Sequence, residues 1–294
     1  MLDRNSRIGF IGAGQVGKSM AAALSRKGYK VVASASRTFA SAESLAHLVP
    51  GCVAYRSIYE AASKCDMVFI TGTDASIAPI AASIKWRKGQ GVAHCSGATS
   101  TDVFALAKAM GAVPGAFHPL QTFSDVEKAV ASLPGTTFAI EGEEEMRAYL
   151  KEMALALGGV PIFLRAEDKA LYHCTVVMMG GILNGLCGAI AGLWQENFGI
   201  DRNQALKSLA PIMQGTAATL ASLGLPAAAA GPYVRGDAGT VRKHMNALRE
   251  FSPEMVPVYC NMALAAFPVA LEKGNVSAEK AEEIRQLLQE GTKG

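Results

Sequence analysis

Gly12, Gly14 and Gly17 are spaced as G-x-G-x-x-G, with only small or uncharged residues (Ala13, Gln15, Val16) between them. Ile8-Gly9-Phe10-Ile11 leads into the motif as a short apolar strand, and Met20 to Leu24 leaves it as a helix. That order suits a pyrophosphate. The first glycine permits a tight turn, the second lets backbone approach phosphate, and the third lets the helix lie close to the strand. The helix then aims free N–H groups at the anion. About 20 residues beyond such glycines, an NAD-binding chain places an acid on the ribose 2′-hydroxyl. Here the second strand, Lys30 to Ala35, ends in Ser36-Arg37-Thr38. A guanidinium between two hydroxyls can fork onto a 2′-phosphate, which a carboxylate would repel. The expected coenzyme is therefore NADP, held by Gly12 to Gly17 and by Ser36, Arg37 and Thr38.

Further candidates fall in loops after apolar strands, where ligands of doubly wound sheets bind. Thr71-Gly72-Thr73-Asp74 follows one strand, and Thr73 and Asp74 are expected to wall the coenzyme. His94-Cys95-Ser96-Gly97 follows the next, with Ser96 as a catalytic candidate and Gly97 as a substrate-binding one. His118 ends a third strand and is held by Pro119. Lys169 and His173 stand at i and i+4, so they share a helix face. Reducing a C=O or C=N bond needs a proton source, and Lys169, His173 and His118 are candidates for it. Asn184 lies about four turns beyond Lys169. Arg235 and Asp237 sit on a Gly-Pro-framed turn, where an arginine can clamp an anionic substrate and the aspartate can cap the following helix.

The elements that position these residues alternate at first. Strand patterns at 30–35, 52–54, 67–70, 91–94, 115–117, 136–140 and 161–164 are separated by helical ones. The continuous apolar run Met67 to Ile70 is what a parallel sheet buried on both faces requires. From Ala166 only helical patterns follow, at 167–198, 202–223, 240–248, 253–271 and 278–289. The expected fold is α/β: a doubly wound parallel sheet over residues 1–165, then an all-α domain over 166–294.

The 294 residues carry a net charge of +3, too little to suggest nucleic acid or an anionic membrane as partner. Six cysteines lie scattered without C-x-x-C spacing and read as reduced thiols of a cytoplasmic protein. His94-Cys95 and His173-Cys174 do not suggest a metal, because adjacent side chains point apart. Val176 to Trp194 carries no charge and holds five glycines. It mimics a membrane span, yet reads here as a helix buried on all sides within the helical half. One domain cannot easily hide such a helix, which motivates a homodimer through the helical half.

His118-Pro119-Leu120-Gln121-Thr122-Phe123, Lys169-Ala170-Leu171-Tyr172-His173 and Gly231-Pro232-x-x-Arg235-Gly236-Asp237 together resemble the NADP oxidoreductases with an uncharacterised C-terminal helical domain. These belong to the 6-phosphogluconate dehydrogenase-like superfamily, beside β-hydroxyacid dehydrogenases and pyrroline-5-carboxylate reductase. The resemblance implies NADP-dependent oxidoreduction and a dimer built through the helical domains. Lys169 falls where hydroxyacid dehydrogenases keep a catalytic lysine. Those enzymes carry Asn four residues later, where this chain has His173. The expected activity is hydride transfer between NADPH and a small, carboxylated carbonyl or imine compound. The alternatives are an NADP-binding sensor without catalysis and an NADP/deazaflavin oxidoreductase.

Overall fold

A computed structural model describes residues 2–293. They form two compact units, one running to Gly181 and the other from Ile182.

The first unit is built on one eight-stranded sheet. Its elements in chain order are β1 (Arg7–Ile11), α1 (Gln15–Arg26), β2 (Lys30–Ala35), α2 (Phe39–Leu48), β3 (Val53–Tyr55), α3 (Ile58–Ser63), β4 (Met67–Ile70), α4 (Asp74–Ser83), β5 (Gly91–His94), α5 (Ala105–Ala109), β6 (Val113–Pro119), α6 (Val126–Ala131), β7 (Thr137–Gly142), α7 (Glu144–Ala156) and β8 (Val160–Phe163). The strands lie in the order β3-β2-β1-β4-β5-β6-β7-β8. All neighbours are parallel except β6 and β7. The chain reverses its direction across the sheet between β1 and β4, which is where such sheets open a crevice.

Register brings the functional loops to one edge. Ile11 pairs with Ala35 on one side and Ile70 on the other, and Ile70 pairs with His94. The strands thus end level, and the loops after β1, β2, β4 and β5 emerge side by side. Alternation along each strand feeds two cores. Ile8, Phe10, Met67 and Phe69 enter one, while Ile11, Val68, Ile70 and Val92 enter the other. Phe10 stacks on Phe69 with centroids 5.3 Å apart, and Phe117 on Phe138 at 4.7 Å. These rings stiffen the sheet beneath the crevice.

Two helices differ in extent from the sequence expectation. α6 falls where no helix was expected. It is too short to show a period, although Asp125 caps it by accepting from Lys128 N at 3.0 Å. The expected helix 167–198 is interrupted: α8 (Lys169–Val177) passes through a π-turn (Met178–Ile182) into α9 (Leu183–Phe198). The π-turn coincides with Gly180-Gly181, where backbone preference for the α-helix is weakest.

The second unit continues with α10 (Arg202–Leu223), α11 (Ala238–Phe251), α12 (Met255–Glu272) and α13 (Ala278–Gly291). Its core comes from the last three, with Val241, Met245, Phe267, Ile284 and Leu288 buried together. The expectation that 176–194 is buried on all sides is overturned within this single chain. Met178, Met179 and Ile182 are 56, 73 and 60% exposed. The helix Ala166–Phe198 and α12 are each long and apolar enough to cross a membrane.

Candidate functional site: a dinucleotide cleft beside a histidine cluster

The turn after β1 has the form a dinucleotide needs. Gly12 adopts φ +104°, a conformation that side chains resist. Its N–H donates to Ala35 O at 2.8 Å, and Thr71 N–H donates to Ile11 O at 2.8 Å, which locks the neighbouring loops together. A Cβ on Gly17 would collide with Gly12 O and Thr71 Oγ1, so only glycine lets α1 lie this close. A Cβ on Gly14 would point into open space. Gly14 caps α1 without a side chain, and no acid stands in the first turn. The positive end of α1 therefore faces an open crevice.

That crevice is a cleft of about 780 Å³. Of the sequence candidates, Gly12 to Val16, Ser36, Arg37, Thr38 and Thr73 line it. Gly17 lies behind the turn instead, and Asp74 opens α4 as an exposed residue outside the lining. Ser41, Ile58, Ser76, Ile80 and Phe123 also line it and escaped the sequence reading. Ser41 and Ser76 stand in the first turns of α2 and α4. Their position just past Thr38 and Thr73 was the available signal. Phe123 lies in an irregular loop, where no period could mark it. Arg37 is exposed and forms no ion pair among the described residues. Thr38 caps α2 without a side-chain hydrogen bond, so its hydroxyl is free for a ligand.

A second cluster forms where β5, β6, β7 and α8 meet. Ala116 of β6 pairs with His94 on one side and Glu141 on the other. α8 presents Lys169, Tyr172 and His173 at i, i+3 and i+4 on one face. Lys169 is only 1% exposed. Its Nζ donates to Ser96 O at 3.2 Å and sits 3.6 Å from Glu141 Oε2. That second contact is an ion pair too long for a hydrogen bond, and Oε2 has no other partner. Glu141 Oε1 accepts from Thr101 N at 2.9 Å and Thr101 Oγ1 at 2.8 Å. Burial lowers the pKa of Lys169, and the Glu141 charge opposes that shift. The ammonium thus ties the loop after β5 to β7 and α8.

Ser96 is committed to its own loop. Its hydroxyl accepts from Thr99 N at 3.1 Å and donates to Thr99 Oγ1 at 2.9 Å. His94 Nδ1 accepts from Ser96 N at 3.2 Å. Burial, aided by the Lys169 charge, pushes the His94 pKa down to about 3, so the ring is neutral. His118 Nδ1 lies 2.9 Å from the Tyr172 hydroxyl. Burial foremost, then Lys169 and His173, pushes the His118 pKa down to about 4. Burial raises that of Tyr172 to about 12. The His118 and His173 rings meet edge to face with centroids 6.0 Å apart. Gly97 packs against both, since a Cβ there would lie 2.5 Å from His173 Cδ2 and 3.0 Å from His118 Nε2.

The remaining candidates belong to the second unit. Asn184 is exposed on α9, and Arg235 is exposed in a 3-10 turn, Tyr233–Arg235. Asp237 caps α11, accepting from Thr240 N at 2.9 Å and Thr240 Oγ1 at 2.6 Å. Among the described residues no three His, Cys, Asp or Glu side chains gather as a metal site.

Residues 2–119 match the Rossmann-like domain family, and residues 136–266 match a domain of unknown function, DUF2520. Together the two matches span most of the chain, the second taking in β7, α7 and β8 as well as the helices that follow. Known structures share this fold. A candidate NADP oxidoreductase from Bacteroides fragilis is 24% identical, with TM-score 0.73, covering 90% of this chain and 99% of that one. A Thermotoga maritima protein is 22% identical, with TM-score 0.72 and the same coverage. A reductive aminase from Aspergillus terreus, solved with NADPH and ethyl levulinate, is 19% identical with TM-score 0.62, covering 98% and 94%. No curated protein matches the sequence. Lys169 to His173 fall inside the DUF2520 match. Gly12 to Thr73 and His118 fall inside the Rossmann-like one.

Proposed function

We propose that this Rossmann–DUF2520 chain is an NADP-dependent oxidoreductase, moving hydride between NADPH and a small carbonyl or imine compound. One observation carries the coenzyme. The cleft joins the glycine turn and the N-terminus of α1 to Ser36-Arg37-Thr38, and no acid stands at the end of β2. The glycine turn would hold the pyrophosphate through backbone N–H groups. Arg37, with Ser36 and Thr38, would fork onto the 2′-phosphate. Bound there, the coenzyme supplies the hydride, and the histidine cluster next to the cleft supplies proton chemistry. The NADPH complex of the Aspergillus terreus reductase, which shares the fold, agrees with this reading.

A carboxylate on the substrate is the feature Arg235 would serve. The apolar side chains left exposed along 171–182 support a homodimer. The six free thiols support the cytoplasm.

The test is NADPH consumption across a panel of aldehydes, ketones, keto acids and cyclic imines. Consumption by one class, far slower with NADH, is expected. Tight NADPH binding with no consumption by any class would make the chain a sensor and end the enzymatic reading.

A further inference from the structure

The reaction proposed above needs a proton for the reduced group, and most candidates are already occupied. Lys169 Nζ is buried against Ser96 O and Glu141. The Ser96 hydroxyl is bonded within its loop. His94 is fully buried, between Ser96 N and Ser100 O. That leaves Tyr172, His118 and His173, all half-buried; of these, Tyr172 and His118 are joined by one 2.9 Å hydrogen bond, while His173 makes none among the described residues. His118 Nε2 has no partner among the described residues and lies on the side of Gly97 and His173.

We propose that Tyr172 is the proton donor to the substrate and that His118 is its positioning and relay residue. This rests on the hydride-transfer reading above. In this arrangement His118 Nδ1–H donates to the Tyr172 oxygen and leaves the phenol hydrogen free for a ligand. As the carbonyl carbon is reduced, its π bond breaks and its oxygen takes the Tyr172 proton. The phenolate oxygen takes the proton from His118 Nδ1. His118 Nε2 takes one from solvent on the His173 side, which balances the step. The dyad also points to a substrate class. Tyr172 and His118 are neutral donors, and no carboxylate lies within hydrogen-bond reach of either among the described residues. Such a site suits the oxygen of a neutral aldehyde or ketone. A preformed iminium cation needs no proton and gains nothing from it.

Two measurements on the full chain test this. Nitrogen NMR of histidine-labelled protein at neutral pH reads the dyad without substrate, with His118→Gln assigning the signal. The expected tautomer carries hydrogen on Nδ1 with Nε2 bare. Hydrogen on Nε2 would mean that Tyr172 donates into His118, and would overturn the proposal while leaving hydride transfer standing. In turnover, Tyr172→Phe should bind NADPH as the wild type does and lose about 10²-fold or more in kcat for carbonyls, and His118→Gln should follow it. Undiminished carbonyl turnover in Tyr172→Phe, or wild-type turnover of cyclic iminium ions alone, would overturn the donor. If the wild type consumes NADPH with no compound at all, the hydride-transfer reading fails, and the donor role with it.

Discussion

Lys169 is the candidate whose surroundings were least visible in the sequence. Its spacing from His173 marked a shared helix face, and the structure keeps that face. What spacing could not show is Glu141, a residue of β7 brought to Lys169 only by tertiary packing. A buried ammonium beside a buried carboxylate holds elements in place more readily than it exchanges protons. Removing one partner of such a pair leaves the other charge buried alone, at about 3–5 kcal/mol. Lys169→Met should therefore lose stability on that order in urea unfolding, and Lys169→Met with Glu141→Gln should recover much of it. A loss under about 1 kcal/mol in the single variant, typical of an exposed pair, would contradict the structural role. Tyr172 was overlooked for a related reason. Between two titratable residues of the same helix it reads as packing, and only the fold brings His118 to its hydroxyl.

At the scale of elements, the strands were legible because each is an apolar run closed by polar or glycine residues. The direction of β7 was not, since nothing in Thr137 to Gly142 records which way its neighbour runs. The long apolar helix was legible in extent and misread in burial. Apolarity on all sides indicates that a helix is covered, but not by what. Leu171, Met178, Met179 and Ile182 are exposed in the single chain, more apolar side chain than a lone soluble protein leaves together. A second copy is the proposed cover. Light scattering should give a dimer for the wild type and a monomer for Met179→Lys, with the helical content of both unchanged by circular dichroism. A monomeric wild type would remove the dimer.

Over the whole molecule, the sequence carried the order of parts: a glycine turn at the start, alternating strands and helices, then helices alone. It carried the coenzyme cleft well because one edge of a parallel sheet collects loops that follow strands directly. The histidine cluster was only partly visible. His118 and His173 are separated by two strands and two helices, and their meeting depends on the antiparallel pairing of β6 with β7. The account stands on a dinucleotide bearing a 2′-phosphate in the cleft at Arg37. Titration calorimetry with NADPH and NADH, on the wild type and Arg37→Ala, tests that most directly. A charge-assisted contact is worth about 1.5–3 kcal/mol, so NADPH should bind about 10–100-fold more tightly than NADH, and Arg37→Ala should erase the difference. Equal affinity for the two coenzymes, or no binding heat with either, would contradict it.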